Sequence, residues 1–262
     1  MVIGLILAIT RIGGEFHLIR DMLENYGDWG KTWSNVEIPD FFKTGEFFKT
    51  GECDEMYILN RLKESNIPLN KLWDSWKYTL IGRGNKNSML TLEKIKTHSL
   101  EFAEKGLSAY IYGNTGTGKT SYCIEIMKYY IRDSFIDYRH PFATMDNVPF
   151  IFNTRLFNTF VNDRRSLLND VQSLIKKMKY SDILVIDDMS FIEANTVAFN
   201  RLYEILEYRD SHELSNLFTS NLTPQNLKEV FKGEDAFLSR VIGRCREEHI
   251  IPLVGKDFRS MK

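Results

Sequence analysis

The chain has 262 residues, 43% of them hydrophobic, and 34 Lys and Arg against 35 Asp and Glu, a formal net charge of −1. That composition suits one large globular domain, or one domain with an appendage. It excludes wholesale disorder, a collagenous chain, a disulfide scaffold and a globally basic protein that coats nucleic acid, while leaving room for local basic patches. All four tryptophans (Trp29, Trp33, Trp73 and Trp76) lie near the N-terminus, so two segments of different character are expected. Cys53, Cys123 and Cys245 are odd in number and far apart, with no metal-binding spacing, which points to a reducing, cytoplasmic setting.

In chain order, the apolar run Val2 to Ile9 reads as a buried strand. It is not a signal-peptide core, because no basic residue precedes it and Arg11 follows. Nothing else approaches a membrane span, and no membrane association is expected. A turn at Arg11 to Gly14, a helical stretch from Phe16 to Leu23 and a strand from Thr32 to Ile38 follow. This order resembles a βαβ unit, but Gly13, Gly14 and Glu15 lack the lysine that a phosphate loop needs. Phe41 to Glu46 is repeated unchanged as Phe47 to Glu52, a duplication in a tolerant loop. Asp54 to Ser65 has helical spacing at Met56, Leu59 and Leu62, and Asn66 to Asn70 breaks it. Gly82 to Asn87 reads as a linker. The expected division is therefore a partner-binding α/β segment, 1–88, and a second domain, 89–262. A helix from Thr91 to Lys105 opens the latter.

Ala109 to Tyr112 is a short apolar strand, and Ser121 to Ile131 reads as a helix. Between them stand Gly113, Asn114, Thr115, Gly116, Thr117, Gly118, Lys119 and Thr120, the pattern G-x-x-x-x-G-K-[ST] in its required context. Its glycines let backbone N–H groups surround phosphates at the start of a helix. Lys119 is expected to reach the β- and γ-phosphates, Thr120 to offer its hydroxyl to Mg²⁺, and Ser121 to close the loop. The chain is thus expected to bind ATP with magnesium. Ile183 to Ile186 is a buried strand ending in Asp187 and Asp188. Asp187 suits the Mg²⁺ shell, and Asp188 the polarisation of an attacking water.

Pro149 to Asn153, Leu217 to Asn221 and His249 to Leu253 complete an expected five-stranded parallel α/β sheet flanked by helices. Asn221 ends its strand where a γ-phosphate would lie, and Thr223 with Pro224 marks a helix start. Arg240 and Arg244 stand four apart, on one face if helical.

In this order, Gly113–Thr120, Ile183–Asp188, Thr219–Asn221 and Ser239–Arg244 resemble AAA+ ATPases of the DnaC/DnaI helicase-loader and IstB group. The text Leu202 to Asp210 is similar as well. The resemblance covers about residues 88–262. It implies a P-loop AAA+ fold and ATP hydrolysis in DNA replication, with Lys119 and Thr120 as Walker A and Asp187 and Asp188 as Walker B. It also implies sensor 1 at Asn221 and an arginine finger at Arg240, with Arg244 as companion. The implied partners are single-stranded DNA, a replicative helicase and further copies of the chain joined through the ATP sites. Arg164, Arg165, Lys176 and Lys177 are candidate DNA contacts, and Arg259 a sensor 2 candidate. The readings left beside it are an IstB-like ATPase serving a transposase and a different P-loop NTPase or kinase.

Overall fold

The computed structural model describes residues 60–68, 71, 86–136, 148–162, 168–194, 196–253 and 255. The expected strands and helix before residue 54, the tandem repeat, Arg164, Arg165 and Arg259 lie outside them.

The helices α1 (Lys86–Thr97) and α2 (Ser99–Glu104) lead into β1 (Ser108–Tyr112), and α3 (Lys119–Ile136) follows it. Then come β2 (Phe150–Asn153), α4 (Thr154–Asn162), α5 (Leu168–Tyr180), β3 (Ile183–Asp187) and α6 (Val197–Ser211). The chain continues through β4 (Ser215–Ser220), α7 (Pro224–Val230), α8 (Asp235–Leu238), a π-helical turn (Ser239–Gly243) and β5 (Cys245–Pro252). The five strands form one sheet in the order β2-β3-β4-β1-β5, and every pairing is parallel. The expected parallel α/β sheet is present.

The strands read as continuous apolar runs because both faces of the sheet are covered. Alternate residues divide between two cores. Ala109, Ile111, Ile151, Ile183, Val185 and Leu217 join Leu92, Ile95, Phe102 and Ile126 from α1, α2 and α3. Tyr110, Phe150, Phe152, Leu184, Ile186 and Phe218 turn the other way, onto Phe157, Phe199, Leu202, Phe231 and Phe237. The first core is mainly aliphatic and the second rich in phenylalanine. Phe199 and Phe237 meet there with ring centroids 4.9 Å apart.

Three elements depart from the sequence expectation. Helix α1 starts at Lys86, within the expected linker, because buried Ser88, Leu92 and Ile95 pack it down. The strand β5 extends back to Cys245 through exposed Arg246, Glu247 and Glu248, which an edge strand tolerates because one side meets solvent. The expected helix through Arg240 and Arg244 is a single π-helical turn, with Arg244 as its cap.

Residues on both sides of position 88 share one core. Leu62 and Ile67 are buried with the α1–α3 cluster. Asn66, with φ of 58°, ends the helical residues 60–64 in the left-handed conformation that asparagine tolerates. Its Nδ2 donates to the Ile151 carbonyl at 2.7 Å, and the Ile151 N–H donates to the Ser65 carbonyl at 3.1 Å. Lys177 pairs with Glu64 on the same side. The outer edge of β2 is thus partnered by residues 60–68.

Candidate functional site

Strand order decides which side chains meet. The strands β3, β4 and β1 are adjacent, and ligands of such sheets bind beyond the carboxyl ends of the strands. The ends of these three carry Asp187 and Asp188, Asn221, and the loop from Gly113 to Gly118.

The loop is anchored at its root. The Gly113 N–H donates to the Ser220 carbonyl at 3.2 Å, and the Leu253 N–H donates to the Tyr112 carbonyl at 2.7 Å. A Cβ on Gly113 would lie 2.0 Å from the Leu253 oxygen, at a φ of +146°. Gly116 and Gly118 also have positive φ, 76° and 89°. Buried Thr117 donates to the Asn114 carbonyl at 2.9 Å, which draws the loop into a turn. Asn114 and Thr115 sit exposed on its rim, while Ser121 follows Lys119 and Thr120 in the first turn of α3.

Lys119 is 8% exposed. Its ammonium donates to the carbonyls of Gly113 at 2.8 Å and Asn114 at 2.9 Å, and to Asn221 Oδ1 at 2.9 Å. Asn221 in turn points its Nδ2 at Asp188 Oδ1, 3.4 Å away. Asp187 accepts from Thr120 Oγ1 at 2.6 Å and Thr219 Oγ1 at 2.7 Å on one oxygen, and from Asn153 Nδ2 at 3.2 Å on the other. The structure therefore brings Lys119, Thr120, Asp187, Asp188 and Asn221 together.

Asp188 has the left-handed conformation, with φ 64° and ψ 58°. Its carboxyl accepts from Ser190 Oγ. Burial pushes its pKa up; the Ser190 hydroxyl opposes the shift, Asp187 adds to it, and Lys119 and Arg155 pull it back. The two adjacent acids thus differ: Asp187 accepts from three side-chain donors, whereas burial raises the pKa of Asp188. Cys123, buried behind the loop, has its thiol raised well above its usual value by burial and by Asp187, which keeps it unreactive.

The hydroxyl of Thr120 and the carboxylate of Asp187 are hard oxygen donors, suited to a magnesium ion that keeps several waters. Among the described residues no group of three or more His, Cys, Asp or Glu could enclose a metal. A cation here would draw its remaining ligands from water and phosphate.

A family model of the bacterial DnaA ATPase domain matches residues 75–241, more than half of the chain. The chain belongs to this family. The AAA+ identification made from its motifs holds. No curated protein matches the sequence. Among solved structures the chain is similar to DnaI, at 16% identity and a TM-score of 0.47, covering 66% of this chain and 84% of that one. It is also similar to the DnaC helicase loader, at 18% identity and a TM-score of 0.47, covering 66% and 92%. A third is replication initiator DnaA bound to AMPPCP and single-stranded DNA, at 17% identity and a TM-score of 0.47, covering 68% and 50%. The chain spans about half the length of that initiator.

In this DnaA-type ATPase domain the two arginines of the π-helical turn stand apart from the loop. Arg240 Nη1 donates to the Ala236 carbonyl at 2.8 Å, Nη2 lies 3.3 Å from Glu207 Oε1, and the guanidinium is 4.9 Å from the Tyr203 ring centroid. Arg244 pairs with Asp210 at 2.8 Å and donates to the Gly106 carbonyl at 3.1 Å. Asp210 and Gly106, the partners of Arg244, lie where the strands begin, and the hydrogen bonds described for Arg240 go to Ala236 and Glu207, not to the loop. Their partners were not readable as sequence neighbours, because Glu207 and Asp210 come from α6. Lys176 is exposed on α5, whereas Lys177 is tied to Glu64. No described helix is long and apolar enough to cross a membrane.

Sequence reasoning gave no role to Thr154 and, within the segments that carry the resemblance, none to Thr219 or Arg209; the two threonines touch the paired acids, and Arg209 is fully buried. Arg209 donates to Asn216 Oδ1 at 2.6 Å and to the carbonyls of Met178, Lys179, Ser181 and Ser215. Burial lowers its pKa to about 9, so the charge persists at neutral pH, held by carbonyl oxygens at the end of α5. A helical arginine among charged neighbours gives no sequence sign of this.

Proposed function

We propose that this chain is an ATP-hydrolysing AAA+ switch of DNA replication that helps place a hexameric helicase on single-stranded DNA. The convergence of Lys119, Asn221, Thr120, Asp187 and Asp188 at one corner of the sheet carries this reading. In it, the loop Gly113–Gly118 with Ser121 cradles the phosphates, and Lys119 exchanges its two loop carbonyls for β- and γ-phosphate oxygens. Thr120 and Asp187 would hold magnesium, which would supply positive charge beside the phosphates. Asp188, with its raised pKa, accepts a proton from the attacking water. Asn221, bonded to both Lys119 and Asp188, senses the γ-phosphate.

Arg240 completes the site of a neighbouring copy as an arginine finger, and ATP thereby joins copies together. Arg244, bonded to Asp210 and to backbone carbonyls, is its structural support. Lys176 is a candidate contact to DNA. The helicase-loading part rests on the motif resemblance, and family membership supports the replication setting.

The test measures ATP turnover by the whole chain, alone and with single-stranded DNA and a hexameric helicase. Stimulation by both, abolished by Lys119→Ala, is expected. Turnover unchanged by either addition sinks the loader reading, and formation of ATP-dependent filaments on duplex DNA alone would favour a transposase client.

A further inference from the structure

The peptide of Asp188 is held from both sides by buried hydroxyls. Its N–H donates to Thr219 Oγ1 at 2.9 Å, and its carbonyl accepts from Thr154 Oγ1 and from the Phe191 N–H at 3.2 Å. Both threonines are 0% exposed. They come from the two strands that flank β3: Thr154 follows β2 directly, and Thr219 lies in β4. The residue between them is one of three described non-glycine residues with positive φ, a conformation that L-residues other than asparagine and aspartate seldom adopt. It persists where the surrounding bonds hold it.

Thr219 does two things with one hydroxyl. Its proton goes to Asp187 Oδ1 at 2.7 Å, and its lone pair takes the Asp188 N–H. It thus ties the direction of one carboxylate to the backbone of the next residue. Thr154 has the simpler task, because its hydroxyl donates to the Asp188 carbonyl. Valine has nearly the same shape as threonine and performs neither task, so the hydroxyls can be removed without opening a cavity.

We infer that Thr154 and Thr219 are positioning residues, a two-sided clamp that holds Asp188 left-handed so that its carboxylate faces the Lys119–Asn221 corner. The inference rests on the reading of Asp188 as the group that activates water. Releasing the peptide swings the Cα–Cβ direction of Asp188, and a misplacement of about 1 Å in a reacting group costs on the order of 100-fold in rate. On that reading nucleotide affinity resides in the loop from Gly113 to Ser121, which Thr154 does not touch and Thr219 meets only through Asp187, shared with Thr120.

The experiment compares Thr154→Val, Thr154→Ser, Thr219→Val, Thr219→Ser and Asp188→Asn in the full chain, reading kcat, KM for ATP and affinity for a fluorescent ATP analogue. Thr154→Val should lower kcat about 10- to 100-fold while KM and analogue affinity stay within about threefold, and Thr154→Ser should restore turnover. Thr219→Val should lose at least as much and also need more magnesium for tight analogue binding, with Thr219→Ser restoring both. Parental turnover in Thr154→Val overturns the clamp. So do equal losses in the valine and serine variants, or loss of analogue binding together with turnover, which would assign the threonines to packing. Parental turnover in Asp188→Asn removes the reading beneath it, whereas an inactive Asp188→Asn beside a fully active Thr154→Val sinks the clamp alone.

Discussion

The two ends of the sheet handle positive charge in opposite ways. Where the strands begin, Arg209 is enclosed by four backbone carbonyls and Asn216, and Arg244 bonds to Gly106 and Asp210. Where the strands finish, Lys119 also rests on carbonyls, but on two from its own loop and on one amide oxygen. The first arrangement joins elements far apart in the chain and has no substitute acceptor. The second is local, and phosphate oxygens can replace its acceptors with stronger, charge-assisted bonds. Permanence at one end and exchange at the other distinguish scaffold from site.

The difference can be broken by substitutions that should act at one end only. Arg209→Ala is expected to cost the most, about 3 to 5 kcal/mol, because it strands buried carbonyls and opens a cavity. Denaturant unfolding would read this, and the folded fraction should bind nucleotide normally; a loss under about 1 kcal/mol contradicts the scaffold role. Lys119→Ala should leave unfolding nearly unchanged while weakening an ATP analogue about 100-fold, the loss of charged hydrogen bonds to phosphate. Calorimetric titration decides it, and retained affinity would mean that the carbonyls holding Lys119 are its permanent partners. Arg244→Ala should cost about 1 kcal/mol, its pair being partly exposed, with no change in analogue affinity.

The smallest effect concerns protons. Because burial raises Asp188, turnover should fall on acidification at a higher pH than an ordinary aspartate would give, as the proposed base becomes protonated. Ser190 donates to that carboxyl and opposes the rise. Ser190→Ala should therefore move the acid limb of kcat to higher pH, by less than about one unit. A shift to lower pH, or none, would remove Asp188 from the proton's path.

The sequence disclosed the exchangeable end far better than the permanent one. The loop from Gly113 to Thr120 is contiguous, and phosphate geometry requires its Gly113, Gly118, Lys119 and Thr120. Asp187, Asp188 and Asn221 end apolar runs, where a parallel sheet displays its ligands. Thr154, Thr219 and Arg209 have no such pattern. Their duties arise from strand order, which sets β2 and β4 beside β3 and the last turn of α6 over the end of α5. The first turn of helix α1 was hidden for a related reason: Asn87 has poor helix propensity, and burial of Ser88, Leu92 and Ile95 overrides it. Arg240 and Arg244 suggested one helical face, yet their partners Glu207 and Asp210 lie on a separate element.

Residues 60–68 pose a question of timing. Asn66 and its partner Ile151 are 85 positions apart. At about 5 to 20 residues added per second, a ribosome makes the second roughly 4 to 17 seconds after the first. Through that interval Leu62 and Ile67 have no β2 to close against, and β2 when it emerges is the border strand of an unfinished sheet. Their meeting is thus a late event in synthesis. Once made, it occupies the backbone of Ile151 on the side of β2 where another chain's strand could add.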